Sequence, residues 1–376
     1  MTVAVALGLL SLAAWLVLLL MRGSFWWPRV PPVPREPARW PSVCAVLPAR
    51  DEAAVIEQSM SSLLRQDYPG AFTVVLVDDH SSDGTAAIAS RLPGKDRLRI
   101  VSAPPLPVGW TGKLSAMNRG VQEAGNAELI LFTDADICHH PTNLREMAAR
   151  LERENRDLVS LMVKLHCQSM FERLLIPAFV FFFAMIYPFR WVRDSRRKTA
   201  AAAGGCLLIR RRALERIGGI AAIKGALIDD CALARAVKAS GGRLRLDLTD
   251  AAASIRPYPS FGSIWNMIAR SGFAQFRYSP SLLAVSMIGM VMIYLVPPLL
   301  LAAGADAARW LGAVGWGTMT LAYLPMVRFY RQSPFWAALL PVTTLIYVGA
   351  TIASAWRYYR GRGGSWKGRV EWRSVR

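Results

Sequence analysis

The sequence has few cysteines, and they are not arranged for a shared role. Its five cysteines are scattered along 376 residues without any paired spacing. Zinc sites and disulfide frameworks both need cysteines at short, repeated separations. The distribution therefore argues against both, and it fits a chain that works in a reducing compartment.

Acidic residues are also scarce. The chain has 26 Asp and Glu against 45 Lys and Arg, so its formal net charge is +19. Such an excess is typical of proteins that bind nucleic acid or lie against an anionic membrane. The basic stretch "RYYRGRGGSWKGRVEWR" directly follows an apolar block. This arrangement favours the membrane and predicts no nucleic-acid partner.

Long apolar runs are abundant. Val3–Met21 is free of charge and long enough to span a bilayer, and Arg22, Trp26 and Trp27 follow it as residues of a membrane interface do. A cleaved signal peptide is the alternative, but no Lys or Arg precedes the run. The run therefore predicts a transmembrane anchor.

Three further apolar blocks occupy residues 281–303, 311–327 and 335–356. With a cytosolic middle domain, three crossings would place the basic tail outside, against the positive-inside rule, whereas two or four would keep it inside. The sequence leaves the number of crossings open.

Strand-like and helix-like segments alternate from residue 42 to residue 136. "SVCAVLPAR", "FTVVLVDD", "RLRIVSAP" and "AELILFTDAD" are the apolar runs expected of buried parallel strands. The alternation predicts a doubly wound α/β sheet, in which ligands bind at the carboxyl ends of the strands.

Three acidic pairs fall at those carboxyl ends. They are Asp51 with Glu52, Asp78 with Asp79, and Asp134 with Asp136. Each pair alone could be an ordinary turn. Together they predict one acidic crevice, which would need a cation or hydrogen-bond donors such as a base and ribose hydroxyls.

The motifs "PARDEA", "VDDHSSDGT", "GKLSAMNRG", "FTDAD" and "IDDCALARAVK" occur in an order that resembles the family-two inverting glycosyltransferases. "GWTGKLSAMNRG" and "RSGFAQFRYSP" resemble the hopene-associated members in particular. The resemblance implies a nucleotide-sugar-binding GT-A fold over residues 42 to about 278.

The resemblance also implies roles for single residues. Asp51 and Glu52 would border a uridine pocket, Asp79 would contact uracil or ribose, and Lys113 would lie near the nucleotide. A UDP-sugar is the donor expected from such a pocket.

Asp134 and Asp136 match the family's aspartate-any-aspartate motif, whose carboxylates hold a divalent ion on the donor diphosphate. Mg²⁺ or Mn²⁺ suits these oxygen ligands. His139 and His140 could complete the shell, although two histidines before Pro141 are more typical of a solvated turn.

Asp230 corresponds to the family's general base, which takes the proton of the acceptor hydroxyl. Asp229 stands where the family has glutamate. The apolar spacing after them predicts that both lie at a helix N-terminus, where capping is the alternative role.

In "AQFRYSP", Arg277 matches a family arginine that could clamp the diphosphate, and Tyr278 replaces a tryptophan. Ala274 occupies the position of the family's glutamine, and Gln275 is out of register. This departure favours a single transfer over processive polymer synthesis.

The apolar segment 174–189 cannot cross a membrane if Asp134 and Asp230 share one substrate. It therefore predicts an interfacial or re-entrant helix, with a buried core helix as the alternative. The predicted segments are an anchor at 1–22, a proline-rich linker at 23–41, a cytosolic catalytic domain at 42–280 with an interfacial helix near 171–191, membrane segments at 281–356 and a basic tail at 357–376.

The sequence thus predicts an enzyme of the cytoplasmic membrane that moves a sugar from a nucleotide donor to a lipid hydroxyl, in hopanoid metabolism or with a similar acceptor. Its oligomeric state is not predicted. One alternative is a phosphatase with Asp134 as nucleophile, although its motif comes late in the sheet and Cys138 replaces the usual threonine. A non-catalytic scaffold of the same fold is the other.

Overall fold

The computed structural model describes residues 2–361, 365–366 and 369–370. The strands are β1 Val43–Ala49, β2 Phe72–Asp78, β3 Leu98–Ser102, β4 Leu129–Thr133, β5 Ile137–His139, β6 Leu158–Lys164, β7 Cys206–Arg210, β8 Leu244–Ser254, β9 Ser365–Trp366 and β10 Arg369–Val370. The helices are α1 Val3–Met21, α2 Ile56–Leu64, α3 Thr85–Ser90, α4 Gly112–Glu123, α5 Asn143–Arg153, α6 Met170–Ile186, α7 Phe189–Arg193, α8 Arg211–Arg216, α9 Asp229–Ala239, α10 Phe261–Ser271, α11 Pro280–Met290, α12 Val296–Ala303, α13 Asp306–Phe329, α14 Phe335–Ala338 and α15 Leu340–Tyr359.

Eight strands form one mixed sheet in the order β3-β2-β1-β4-β7-β6-β8-β5. The first four are parallel, as the alternation over residues 42–136 predicts. β7 then runs antiparallel between β4 and β6, and β5 pairs antiparallel with the end of β8. The predicted α/β fold is confirmed. The antiparallel strands in the second half of the sheet were not predicted from the sequence.

The middle strands are apolar because helices cover both of their faces. All seven residues of β1 and all five of β4 are buried. On one face, Gly120 lets α4 lie close to the sheet, since a Cβ there would come within 2.2 Å of Val46 Cγ1. On the other face, Met60 of α2 and Met147 of α5 are completely buried.

One hydrophobic core joins the sheet to the C-terminal helices. It contains Leu246 and Leu248 of β8, Phe181 of α6, Tyr323 of α13 and Tyr347 of α15. Most residues of α6 are buried, as the alternative of a core helix predicts for segment 174–189. Its position relative to a membrane stays a prediction.

Two helices in the described chain are long and apolar enough to cross a membrane. They are Val3–Met21 and Pro280–Ala303, the second of which joins α11, a π-helical turn and α12. Only 17% and 11% of their apolar windows is buried. The predicted blocks 311–327 and 335–356 lie in α13 and in α14 with α15. Of the predicted tail, 362–364, 367–368 and 371–376 lie outside the described residues.

Candidate active site

The acidic pairs predicted at the strand ends lie at the carboxyl edge of the parallel strands. Asp51 and Glu52 follow β1, Asp79 follows β2, and Asp134 with Asp136 follows β4. Basic side chains separate the carboxylates from one another. The crevice is therefore a network of alternating charge, which lowers the cost of gathering carboxylates in one place.

The loops after β1 and β2 are joined by hydrogen bonds. The Asp51 carboxylate accepts from Ser82 N at 2.8 Å, while Glu52 N donates to Thr85 Oγ1 at 2.8 Å. Asp51 has a left-handed backbone with φ 50°. These bonds hold the two loops in fixed positions, which a pocket for a flat base and a ribose needs.

Arg50 fixes Asp79. Its Nη1 donates to the Asp79 carbonyl at 2.6 Å and lies 3.5 Å from Asp79 Oδ2. The Asp79 side chain is almost completely buried. A buried carboxylate of this kind needs such a partner.

Arg256, just beyond the end of β8, connects two of the acidic pairs. Its guanidinium forms an ion pair with Glu52. The distance from Arg256 Nε to Asp136 Oδ2 is 3.3 Å. Ser254 Oγ donates to the same Asp136 oxygen at 2.9 Å. Burial favours the neutral guanidine, but the two carboxylates outweigh it and raise the pKa of Arg256.

Lys113 connects the Asp-x-Asp turn to the start of α9. Its Nζ lies 2.9 Å from Asp134 Oδ1 and 3.1 Å from Asp229 Oδ2. Burial alone would lower the pKa of Lys113, but Asp134 and Asp229 outweigh it and raise the pKa. Lys113 is in the first turn of α4 and Asp229 in the first turn of α9, so two helix N-termini border the site.

Asp230 is held by backbone donors. Its Oδ2 accepts from Gly204 N at 2.8 Å, and its Oδ1 accepts from Cys231 N at 2.6 Å. Burial, with repulsion from Asp229, raises the pKa of Asp230 from its ordinary 3.8 to about 6, although Lys113 opposes the change. A carboxylate with this pKa is ionised at neutral pH and is more basic than an ordinary aspartate.

Asp134, Asp230 and Lys113 line one small cavity with Gly204 and Asp229. The predicted metal residue and the predicted base therefore face the same space. A Cβ at Gly204 would lie 3.4 Å from Lys113 Nζ and 3.5 Å from Asp230 Oδ2. Glycine at this position keeps the space between the two groups open.

The donor set fits a divalent ion only in part. In the described part of the chain, no three His, Cys, Asp or Glu side chains are grouped as a metal shell. Asp134 and Asp136 offer two carboxylates, and Mg²⁺ commonly takes one or two carboxylates together with phosphate oxygens. The residues present therefore fit an ion whose coordination shell is completed by the oxygens of a bound diphosphate.

His139 is buried inside the sheet. Its Nε2 lies 2.9 Å from Thr133 Oγ1, and its Nδ1 lies 3.0 Å from Asn143 Nδ2. Thr133 in turn donates to the Gly205 carbonyl at 3.0 Å. Burial lowers the pKa of His139 to about 4. His139 is thus neutral. Through Thr133 it supports the end of β4 before Asp134 and the backbone of Gly205, next to Gly204. His140 is exposed, as expected of a turn residue.

The segment around Arg277 packs against α15. Phe273 N donates to Ser354 Oγ at 3.0 Å, and Tyr278 stacks on Tyr358 with centroids 4.6 Å apart. Arg277 itself is exposed and has a left-handed backbone. Gln275, which is out of register with the family's glutamine, accepts a hydrogen bond from Tyr187 OH at 2.9 Å. Burial raises the pKa of Tyr187, and the nearby Asp230 carboxylate adds to the increase.

Sequence reasoning missed Arg50, Arg256, Ser254 and Gly204. Arg50 adjoins the predicted acidic pair, and the pair "GG" immediately precedes the apolar run "CLLIR", so both carry a local signal. Arg256 and Ser254 carry none, because their role depends on the pairing of β8 with β6 and β5.

The mixed α/β sheet, with carboxylates and a lysine at its strand ends, is a GT-A-type fold. Residues 44–218, slightly less than half of the chain, match the family model "Glycosyl transferase family 2", and this match supports a family-2 glycosyltransferase. This match argues against the phosphatase alternative.

Known proteins resemble the chain over different lengths. The probable glycosyltransferase YdaM of Bacillus subtilis is 28% identical over 185 residues, which are 48% of this chain and 43% of that protein. The dodecaprenyl-phosphate galacturonate synthase of Rhizobium johnstonii is 32% identical over 111 residues, 27% of this chain and 31% of that protein. The chain thus spans less than half the length of both relatives.

A solved structure is similar over nearly the whole chain. The mannosyltransferase PcManGT from Pyrobaculum calidifontis, in complex with GDP-Man and Mn²⁺, aligns with a TM-score of 0.62 and 20% identity. The alignment covers 95% of this chain and 99% of that one. At this identity the likeness shows a shared fold, including the C-terminal helices.

Proposed function

We propose that the protein is a membrane-bound inverting glycosyltransferase that moves a sugar from a nucleoside-diphosphate donor to a lipid hydroxyl. The observation that carries the proposal is the single cavity lined by Asp134, Lys113 and Asp230. A leaving-group site and a base must face one space for an in-line displacement.

The donor would lie along the carboxyl ends of β1, β2 and β4. Asp51, Glu52 and Asp79 would contact the nucleoside, and a UDP-sugar is the first candidate. Lys113 would contact the diphosphate, since an ammonium group is a strong electrostatic partner for phosphate oxygens. Arg277 is exposed and is not among the residues that line this cavity, so its role as a diphosphate clamp stays a prediction.

Asp134 and Asp136 would hold Mg²⁺ or Mn²⁺ with the phosphate oxygens. When bound, such an ion neutralises charge that develops on the leaving diphosphate. The complex of PcManGT with GDP-Man and Mn²⁺ agrees with this choice of ion.

Asp230 would act on the acceptor. Its carboxylate takes the proton of the acceptor hydroxyl as that oxygen attacks the anomeric carbon, and the bond to the diphosphate breaks on the opposite face. The two backbone donors on Asp230 fix its orientation during this transfer. Attack from the face opposite the leaving group inverts the anomeric configuration.

A membrane location is supported by the exposed apolar helices. Leu9, Leu16 and Leu20 of α1 are exposed, as are Val285 and Leu299 of the segment Pro280–Ala303. Core helices of soluble proteins bury such side chains. An enzyme anchored by these helices, with its site on the cytosolic side, would suit a lipid acceptor such as a polyprenyl or hopanoid alcohol. The dodecaprenyl-phosphate named for one relative is a lipid of comparable type.

The test uses the full chain purified in detergent. Nucleotide sugars with Mg²⁺ or Mn²⁺ are screened by thermal shift, and transfer is followed with lipid extracts. Asp134→Asn and Asp136→Asn should lose the metal-dependent stabilisation by the donor. Asp230→Asn should keep it and lose about 10²–10⁴-fold in transfer rate. Asp96→Asn, an exposed aspartate remote from these strand ends, is the matched control.

Full transfer by Asp230→Asn would refute the base assignment. A product that retains the donor's anomeric configuration would refute inversion. If no nucleotide sugar stabilises the wild type, the non-catalytic scaffold becomes the better description.

A further inference from the structure

A second cavity lies where α1 meets the catalytic domain. Residues 23–32, which follow α1, form one wall, and Arg190 and Arg193 of α7 and Arg245 of β8 contribute to the others. Its cavity volume is about 390 Å³. This volume is large enough for a polar head group.

The cavity carries excess positive charge. Arg245 is neutralised by Glu154 and Asp247. Arg29, Arg190 and Arg193 also line the cavity, and within the described chain none of these three forms an ion pair. Within the described residues, the Arg190 side chain donates one hydrogen bond, to the Ser24 hydroxyl at 3.1 Å. Asp247 also lines the cavity, but it is paired with Arg245. The other three arginines have no carboxylate partner within the described chain, which indicates an anionic ligand.

This cavity is separate from the candidate active site. Arg245 is at the start of β8, whereas Ser254 and Arg256, which hold Asp136, are at its end. Their neighbours on β6, Val159 beside Arg245 and Lys164 beside Ala253, are five residues apart, so the two ends of β8 are separated by roughly 17–20 Å. The donor diphosphate therefore does not explain the arginines.

The cavity adjoins exposed apolar surface. Leu20 and Met21 in the last turn of α1 are 81% and 71% exposed, and Trp27 in the cavity wall is 49% exposed. Arg22 ties this end of α1 to the Met185 carbonyl of α6 at 2.9 Å. Apolar surface on one side and arginines on the other match an amphiphile with an anionic head.

We propose that this cavity binds the phosphate head group of an anionic membrane lipid, with Arg29, Arg190 and Arg193 on the phosphate and the acyl chains along the last turns of α1. The inference rests on the membrane placement of α1 in the proposed function. It concerns a structural lipid and requires no sugar transfer.

The test measures lipid binding by native mass spectrometry and thermal shift on the full chain in detergent, without nucleotide sugar. The probes are phosphatidylglycerol, zwitterionic phosphatidylcholine and inorganic phosphate. Phosphatidylglycerol should bind and stabilise the wild type. Arg190→Gln with Arg193→Gln should weaken it roughly 30-fold, from the usual contribution of each basic residue at a lipid surface.

Arg91→Gln with Arg97→Gln removes the same charge from exposed positions elsewhere and should leave binding unchanged. Arg29→Gln, whose side chain has no hydrogen bond within the described chain, gives a second variant if the first pair fails to fold. Equal weakening by the control pair would overturn the proposal, as would equal binding of phosphatidylcholine. Full competition by inorganic phosphate would overturn the assignment to a lipid.

Because no donor is present, a negative result here leaves the proposed transfer untouched. Failure of transfer with intact lipid binding would in turn leave this site standing.

Discussion

Replacement of Asp230 by asparagine should lower the transfer rate and raise the stability of the fold. The rise in the pKa of Asp230 from 3.8 to about 6 means that the folded protein favours the neutral carboxyl. That preference corresponds to about 3 kcal/mol against the ionised form at neutral pH. The variant should therefore be more stable than the wild type, although it loses about 10²–10⁴-fold in transfer rate.

The sign follows from proton binding. Between pH 3.8 and about 6 the folded state holds the Asp230 proton more tightly than the unfolded state does. The Asp230 contribution to the free energy of unfolding therefore falls as pH rises through this window, and it is constant above it. About 2 kcal/mol of the change lies between pH 4.5 and pH 7.5.

The amide also loses one acceptor, because Gly204 N and Cys231 N both donate to the carboxylate. That loss costs about 1 kcal/mol at every pH. The net gain at pH 7.5 is then about 2 kcal/mol, or a few °C in melting temperature.

The assay compares melting temperatures of the wild type and Asp230→Asn in one detergent from pH 4.5 to 8. The difference between the two proteins should grow to about pH 6.5 and then stay level. Using the difference removes contributions from other groups such as His139. A difference that does not depend on pH, or a variant that is less stable at pH 7.5, would refute a raised pKa at Asp230.

Two further predictions concern the residues around the cavity. His139→Gln should leave the Mn²⁺ requirement of transfer unchanged. Because burial lowers the pKa of His139 to about 4, the wild type loses stability as pH falls from 6.5 towards 4. The variant should lack this loss of stability. A tenfold higher Mn²⁺ requirement would instead make His139 a ligand. Gly204→Ala should reduce kcat/KM about tenfold to 100-fold with little change in melting temperature, because its methyl group would enter the space between Lys113 and Asp230. Gly262→Ala, whose Cβ would meet only Ser260 Oγ at 3.8 Å, is the control, and equal activity of both variants would contradict the assignment.

The acidic strand ends could be predicted because strand alternation is a local property. Asp51, Asp79 and Asp134 follow apolar runs, and parallel strands bring their carboxyl ends to one edge. The position of Asp230 beside Asp134 came only through the family resemblance, since the two are 96 positions apart in the sequence and the antiparallel β7 lies between them.

The partners of the acidic residues could not be predicted in this way. Arg256 reaches Glu52 only because β8 pairs with β6 and β5 at one end of the sheet. The burial of His139 depends on the same pairing, whereas the sequence "HHP" indicates an exposed turn. Such contacts come from long-range register, which a single sequence does not reveal.

The core that joins the sheet to the C-terminal helices has a practical consequence for biochemistry. Phe181 and Phe182 of α6 contact Tyr323 of α13 and Tyr347 of α15, with ring centroids 5.1 and 5.0 Å apart. A chain cut after residue 280 to obtain a soluble enzyme would expose these rings and leave α6 without its partners. Such a fragment should aggregate during expression, so the C-terminal helices must be purified with the enzyme.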